Sequence, residues 1–171
     1  GTALLTGWLA AGVPPGSVWV IEPNPTDWLK GCGVHLNEGV PKAPAVALLA
    51  VKPQMMGAAL PSLQALGNGS TLFVSIAAGT TIATFEDALG TRTPIVRTMP
   101  NTPAMVGRGI TALCHNAHVS DADYALSRDL MAAVGQVVDL SSEEQIDAVT
   151  AVSGSGPAYV FHLIETMAAA G

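Results

Sequence analysis

The sequence predicts an α/β fold with a mainly parallel sheet and helices on both faces. Three observations carry that expectation. Residues 45 to 51 (Ala-Val-Ala-Leu-Leu-Ala-Val after Pro44) are apolar without alternation, the habit of a parallel strand covered on both sides. Thr71 to Ile76 repeats the pattern. Strand and helix signals then alternate at spacings of about 20 to 30 residues, the rhythm of βαβ units, whose right-handed crossovers put helices on both faces.

Thr2 to Ala11 places Leu4, Leu5, Trp8 and Leu9 at helical spacing, with Gly12 as a stop. Ser17 to Glu22 reads as a strand, closed by the turn residues Pro23, Asn24 and Pro25. A short helix over Asp27 to Lys30 and a short strand over Val34 to Leu36 follow. The strand of residues 45 to 51 ends at Lys52, and Pro53 forbids further ladder pairing. Met55 to Leu66 reads as an amphipathic helix stopped by Gly67, Asn68 and Gly69. The strand Thr71 to Ile76 runs out into Ala77, Ala78 and Gly79, and Thr80 to Leu89 forms a helix with Thr81 as its cap. Pro94 to Thr98 is a strand, Met99 to Pro103 a proline-bracketed turn, and Gly109 to Cys114 another strand. Ser120 caps a helix over Asp121 to Val134, whose acidic first turn suits the helix dipole. Val137 to Leu140 is a last short strand, Ser142 with Glu143 and Glu144 opens a helix, and residues 154 to 157 break the chain before a final helix. There is no internal repeat or low-complexity tract.

The chain has 171 residues, 49% hydrophobic and 12% charged, with a net charge of −6. Such a composition supplies a sizeable core and a surface so poor in charge that a second chain is expected to cover part of it. Net negative charge without a Lys/Arg cluster argues against nucleic acid as a partner. No apolar run approaches the ~18 residues of a membrane span, so no membrane partner is expected. Cys32 and Cys114 lie far apart in no ligand-like spacing and read as free thiols in a reducing cytoplasm, with a disulfide as the alternative. Helical patterns begin at Gly1 and stop at Gly171, which reads as a piece of a longer protein.

The chemistry is expected where strands end, because ligands of open α/β sheets lie beyond the carboxyl ends of strands. Lys52 stands there, placed to meet an anion, or else as a solvated lysine leaving a core strand. Ala50, Ala77, Ala78 and Gly79 are small enough to let a flat ligand approach the backbone. Glu22 closes a strand 21 positions after Gly1. In dinucleotide-binding folds an acidic residue about 20 residues beyond a glycine fingerprint takes the ribose hydroxyls, and a carboxylate there repels a 2′-phosphate. Gly1 fits as the last glycine of such a fingerprint. His115 and His118 follow a strand and are not presented together by a helix, so no metal site is expected. Ser153-Gly154-Ser155-Gly156 lacks the Lys-Ser/Thr ending of a phosphate-binding loop.

Four ordered motifs carry a resemblance. They are Ala50-Val51-Lys52-Pro53, Ser75-Ile76-Ala77-Ala78-Gly79, Val96-Arg97-Thr98-Met99-Pro100-Asn101-Thr102-Pro103, and Ala151-Val152-Ser153-Gly154-Ser155-Gly156-Pro157-Ala158-Tyr159. The chain resembles pyrroline-5-carboxylate reductases over essentially its whole length. The resemblance implies a Rossmann-like dinucleotide-binding domain over residues 1–150, then the first helix of an all-helical dimerisation domain over 151–171. It implies reduction of 1-pyrroline-5-carboxylate to L-proline with NADPH or NADH, in a homodimer or higher homo-oligomer. Glu22 and Asn24 would then sit beside the adenosine ribose, with Gly1 in the fingerprint. Asn37, Val51 and Lys52 would contact the cofactor, Ala78 would lie against its nicotinamide half, and Asn101 and Thr102 would lie near the imine. No catalytic acid is assigned, since a protonated imine is already electrophilic. The sequence departs from the family pattern in lacking the first strand, two fingerprint glycines and the glycine-threonine substrate loop. Alternatives are a β-hydroxyacid dehydrogenase-like or deazaflavin-dependent oxidoreductase, against which the Ser-Gly-Ser-Gly-Pro-Ala-Tyr segment argues, and a cofactor-sensing module without turnover.

Overall fold

The computed structural model describes residues 1–171. Seven strands form two sheets: a two-stranded one of β1 (Trp19–Val20) and β2 (His35–Leu36), and a five-stranded one of β3 (Val46–Leu49), β4 (Leu72–Ser75), β5 (Ile95–Met99), β6 (Gly109–His115) and β7 (Gly135–Asp139), in that spatial order. All neighbouring pairs are parallel except β5 and β6. Only residues 100–108 join β5 to β6, too few for the dozen or more that a parallel crossover needs, so the chain turns back on itself.

The helices are α1 (Thr2–Ala10), α2 (Asp27–Lys30), α3 (Met56–Ala59), α4 (Ile82–Leu89), α5 (Asp121–Ala132), α6 (Gln145–Val149) and α7 (Gly156–Ala170). α1 and α5 cover one face of the main sheet and α4 and α6 the other, and the two-residue period of β4 shows why. Leu72 and Val74 pack with Leu4, Val96, Leu113, Met131 and Val134 on the α1 and α5 side. Phe73 and Ala77 pack with Phe85, Ile95 and Ile146 on the α4 and α6 side. Every residue of β4 is therefore buried, and alternation disappears from its sequence. Trp8 donates its indole N–H to the Leu130 carbonyl at 2.7 Å, tying α1 to α5.

The expected caps are present. Thr81 accepts from the Thr84 amide at the start of α4, and Ser120 accepts from the Asp123 amide at the start of α5. Four element readings change. Residues 45 to 51 shorten to β3, which is one edge of its sheet, so only Leu49 is buried. The strand expected over Ser17 to Glu22 keeps only Trp19 and Val20, since its one partner, β2, is two residues long. The helix expected over Met55 to Leu66 is one α-turn, α3, between 3-10 turns at Pro53–Met55 and Leu60–Leu66. Pro61 removes an amide donor and crowds the preceding turn, so the α-ladder cannot continue. Ser142 does not cap α6. It bonds Glu144, holding that carboxyl below its usual range, while Glu143 is drawn elsewhere.

Candidate active site

The carboxyl ends of the parallel strands make one rim. Leu49 of β3 stands opposite Ser75 of β4, and Ser75 opposite Arg97 of β5. Val51 and Lys52, then Ala77 and Ala78, then Pro100 and Asn101 consequently leave the sheet side by side. Val51 and Lys52 are exposed, Ala78 is half-buried and Ala77 is buried. Lys52 adopts an extended conformation and begins the turn of Pro53, with its side chain in solvent.

The small sheet ends in a second, connected patch. Val20 stands opposite Leu36, so Glu22 and Asn37 follow at the same end. The Asn37 side chain accepts from the Glu22 amide at 2.9 Å and donates to the Glu22 carbonyl at 2.9 Å. It prolongs the ladder in place of backbone. Asn37 does this from the left-handed region (φ 57°), which asparagine tolerates better than other side-chain-bearing residues. The Glu22 carboxylate accepts from the Asn24 amide at 2.9 Å. Gly1 joins the two patches. A Cβ on it would stand 3.9 Å from the Ala50 side chain at the end of β3. The Glu22 charge lies close enough to Gly1 to act on it.

Residues 143–171 match the family model described as pyrroline-5-carboxylate reductase dimerisation. Over 175 residues the chain is 42% identical to the pyrroline-5-carboxylate reductase of Pseudomonas aeruginosa, covering 99% of this chain and 64% of that protein. The chain is thus similar to pyrroline-5-carboxylate reductases over nearly its whole length. A solved pyrroline-5-carboxylate reductase from Coxiella burnetii superposes with a TM-score of 0.87 at 35% identity, over 96% of this chain and 64% of that one. The Plasmodium falciparum pyrroline carboxylate reductase, solved with NADP bound, superposes with a TM-score of 0.88 at 29% identity, over 100% of this chain and 64% of that one. The chain thus spans a little under two thirds of the length of the relatives it matches.

The third and fourth motifs, about 50 residues apart, meet in space. Asn101 donates to the Ser153 hydroxyl at 3.2 Å and accepts from the Ile110 amide at 2.9 Å. Both polar ends of Asn101 are therefore engaged by the protein, and Thr102 beside it is exposed. Ser153 lies in a π-turn, Thr150–Gly154, that joins α6 to α7 almost without a break. A Cβ on Gly154 would come within 2.6 Å of the end of the Met99 side chain, so the absence of a side chain lets the two motifs close up.

Sequence reasoning missed Arg97 and Glu143. Arg97 is 3% exposed, and its Nη1 lies 2.6 Å from Glu143 Oε1. The same oxygen accepts from the Ile82 amide at 2.8 Å, the first amide of α4. The signal was visible: one arginine inside the otherwise uncharged stretch Ile95–Met99 must find a counter-charge if the strand is buried.

Proposed function

We propose that this chain is the cofactor-binding part of an enzyme that reduces 1-pyrroline-5-carboxylate to L-proline with NADPH or NADH. The observation that carries this reading is that Gly1 stands between the rim that holds Val51, Lys52 and Ala78 and the patch that holds Glu22. These residues fit a dinucleotide. Asn24 engages one Glu22 carboxylate oxygen, and the carboxylate has acceptor capacity left for ribose hydroxyls. The first amides of α1 begin beside Gly1, where a pyrophosphate is favoured by helix N-terminal donors. The small residues Ala77, Ala78 and Gly79 leave the β4 end open to a flat ring.

In this account the cofactor supplies hydride from C4 of its nicotinamide to the ring C=N carbon of the substrate. The chain supplies position. Glu22, with Asn37 fixing its backbone and the Asn24 amide its carboxylate, holds the ribose end; Val51 and Lys52 line the middle; Ala78 sets the nicotinamide plane. Asn101 and Thr102 lie on the imine side. Orientation of this kind accounts for a large share of rate in bimolecular transfers. A protonated imine is already electrophilic, so no strong acid is needed from these residues.

The same proposal divides the chain into a Rossmann-like domain, 1–150, and the first helix of a dimerisation domain, 151–171. α7 supports a second copy as partner, because Tyr159, Phe161, Leu163, Ile164 and Met167 are each at least 58% exposed. Apolar area of that kind is normally covered. No helix is long and apolar enough to cross a membrane, and we infer a cytoplasmic enzyme. The test is NADPH or NADH oxidation by the whole protein with 1-pyrroline-5-carboxylate. Saturable turnover to proline is expected; cofactor binding without turnover would replace the reductase with a sensor.

A further inference from the structure

We propose that Arg97 and Glu143 form a positioning pair that sets the Ala77–Thr81 loop against the nicotinamide half of the cofactor. The inference rests on the cofactor site proposed above. The loop is pinned at both ends. Upstream, the Ala77 amide donates to Ser75 Oγ at 3.2 Å, and Thr98 Oγ1 donates to the Ser75 carbonyl at 2.9 Å. Downstream, Thr81 caps the Thr84 amide and Glu143 takes the Ile82 amide at 2.8 Å. One carboxylate oxygen thus serves both α4 and Arg97 Nη1, and Arg97 lies on β5 opposite Ser75.

Two features separate this pair from an ordinary strut. Arg97 is buried and its Nε has no partner, so the guanidinium is held at a cost by Glu143. Buried ion pairs can often be replaced by apolar residues without loss of stability, so stability alone gives little reason for charge at this point of the rim. Glu143 is also the first residue of the stretch that matches the dimerisation model. The contact therefore ties that stretch to the loop that would face the nicotinamide. A shift of about 1 Å in such a loop is enough to cost about a hundredfold in rate. Neither residue touches the reacting atoms in this account; each acts through the loop.

The test uses the whole protein and the variants Glu143→Ala, Glu143→Gln and Arg97→Lys. Cofactor Kd is measured by NADPH fluorescence, alongside KM for NADPH and for the imine, kcat and Tm. Glu143→Ala is expected to weaken NADPH binding about tenfold while the imine KM stays within about twofold. Glu143→Gln, whose amide oxygen still accepts from Ile82, should recover most of that loss, and Arg97→Lys should fall between them. If Glu143→Ala fails to fold, the Gln and Lys variants carry the same comparison. Lower Tm with NADPH Kd and kcat per folded molecule both unchanged in the folded variants would overturn the pair, since a reduced folded fraction alters neither. No NADPH binding by the wild type would overturn the site itself, and the pair with it.

Discussion

The amide side chain of Asn37 closes a two-bond ring with the backbone of Glu22, accepting from its N–H and donating to its C=O, both at 2.9 Å. The ring extends a parallel ladder only two residues long and fixes the backbone that carries the Glu22 carboxylate. Asn37→Ala should lose about 2 kcal/mol, from two hydrogen bonds and a left-handed backbone that alanine resists. Asn37→Gly keeps the backbone permissive and should lose about half as much. Urea unfolding of the pair separates the two contributions.

In the proposed site Glu22 sets the choice between cofactors. A carboxylate that takes ribose hydroxyls repels a 2′-phosphate, so Glu22→Ser should raise kcat/KM for NADPH relative to NADH by about tenfold, the scale of one like-charge contact. Unchanged relative kcat/KM for the two cofactors removes Glu22 from the account.

Asn101 fastens the turn after β5 to both β6 and the π-turn. Removing its side chain leaves the half-buried Ile110 amide and the Ser153 hydroxyl without that partner. Asn101→Ala should therefore cost about 1–3 kcal/mol in stability. It should also reduce kcat, if the turn faces the imine. Asn101→Asp, which keeps the acceptor for Ile110, should retain more stability than Ala in the same denaturation experiment.

Alkaline pH should act through Cys114. Burial first, then the Glu143 charge, push its thiol from 9.0 up to about 11. Between those values the folded state keeps a proton that the unfolded chain releases. The stabilising effect is complete below pH 9 and is lost as pH rises towards 11. Cys114→Ala should flatten that part of the stability curve, measured as the urea midpoint against pH. At pH 8 a thiol reagent should modify Cys32 well before Cys114.

Much of the fold was legible because local signals and burial agreed. Thr81 and Ser120 sit before their helices and cap them, and the unbroken apolarity of β4 reflects a strand covered on both faces. Where the reading failed, a non-local fact decided. Pro61 weighed more than the amphipathic pattern around it. The length of β1 was set by a two-residue partner, and the antiparallel turn of β6 by the nine residues available to make it. For the site, strand ends pointed to Lys52 and Ala78, which leave neighbouring strands at the same end of the sheet. The meeting of Asn101 with Ser153, and of Arg97 with Glu143, depends on contacts across about 50 residues, which spacing alone does not reveal. Arg97 still left a trace, as the lone charge in a core strand.

The account turns on where the nucleotide lies. Crystals of the whole protein grown with NADPH or NADH should show the adenosine ribose within hydrogen-bond reach of Glu22 and the nicotinamide ring against Ala78, with Lys52 between. A nucleotide bound elsewhere, with the rim from Glu22 to Ala78 holding only solvent, would contradict it.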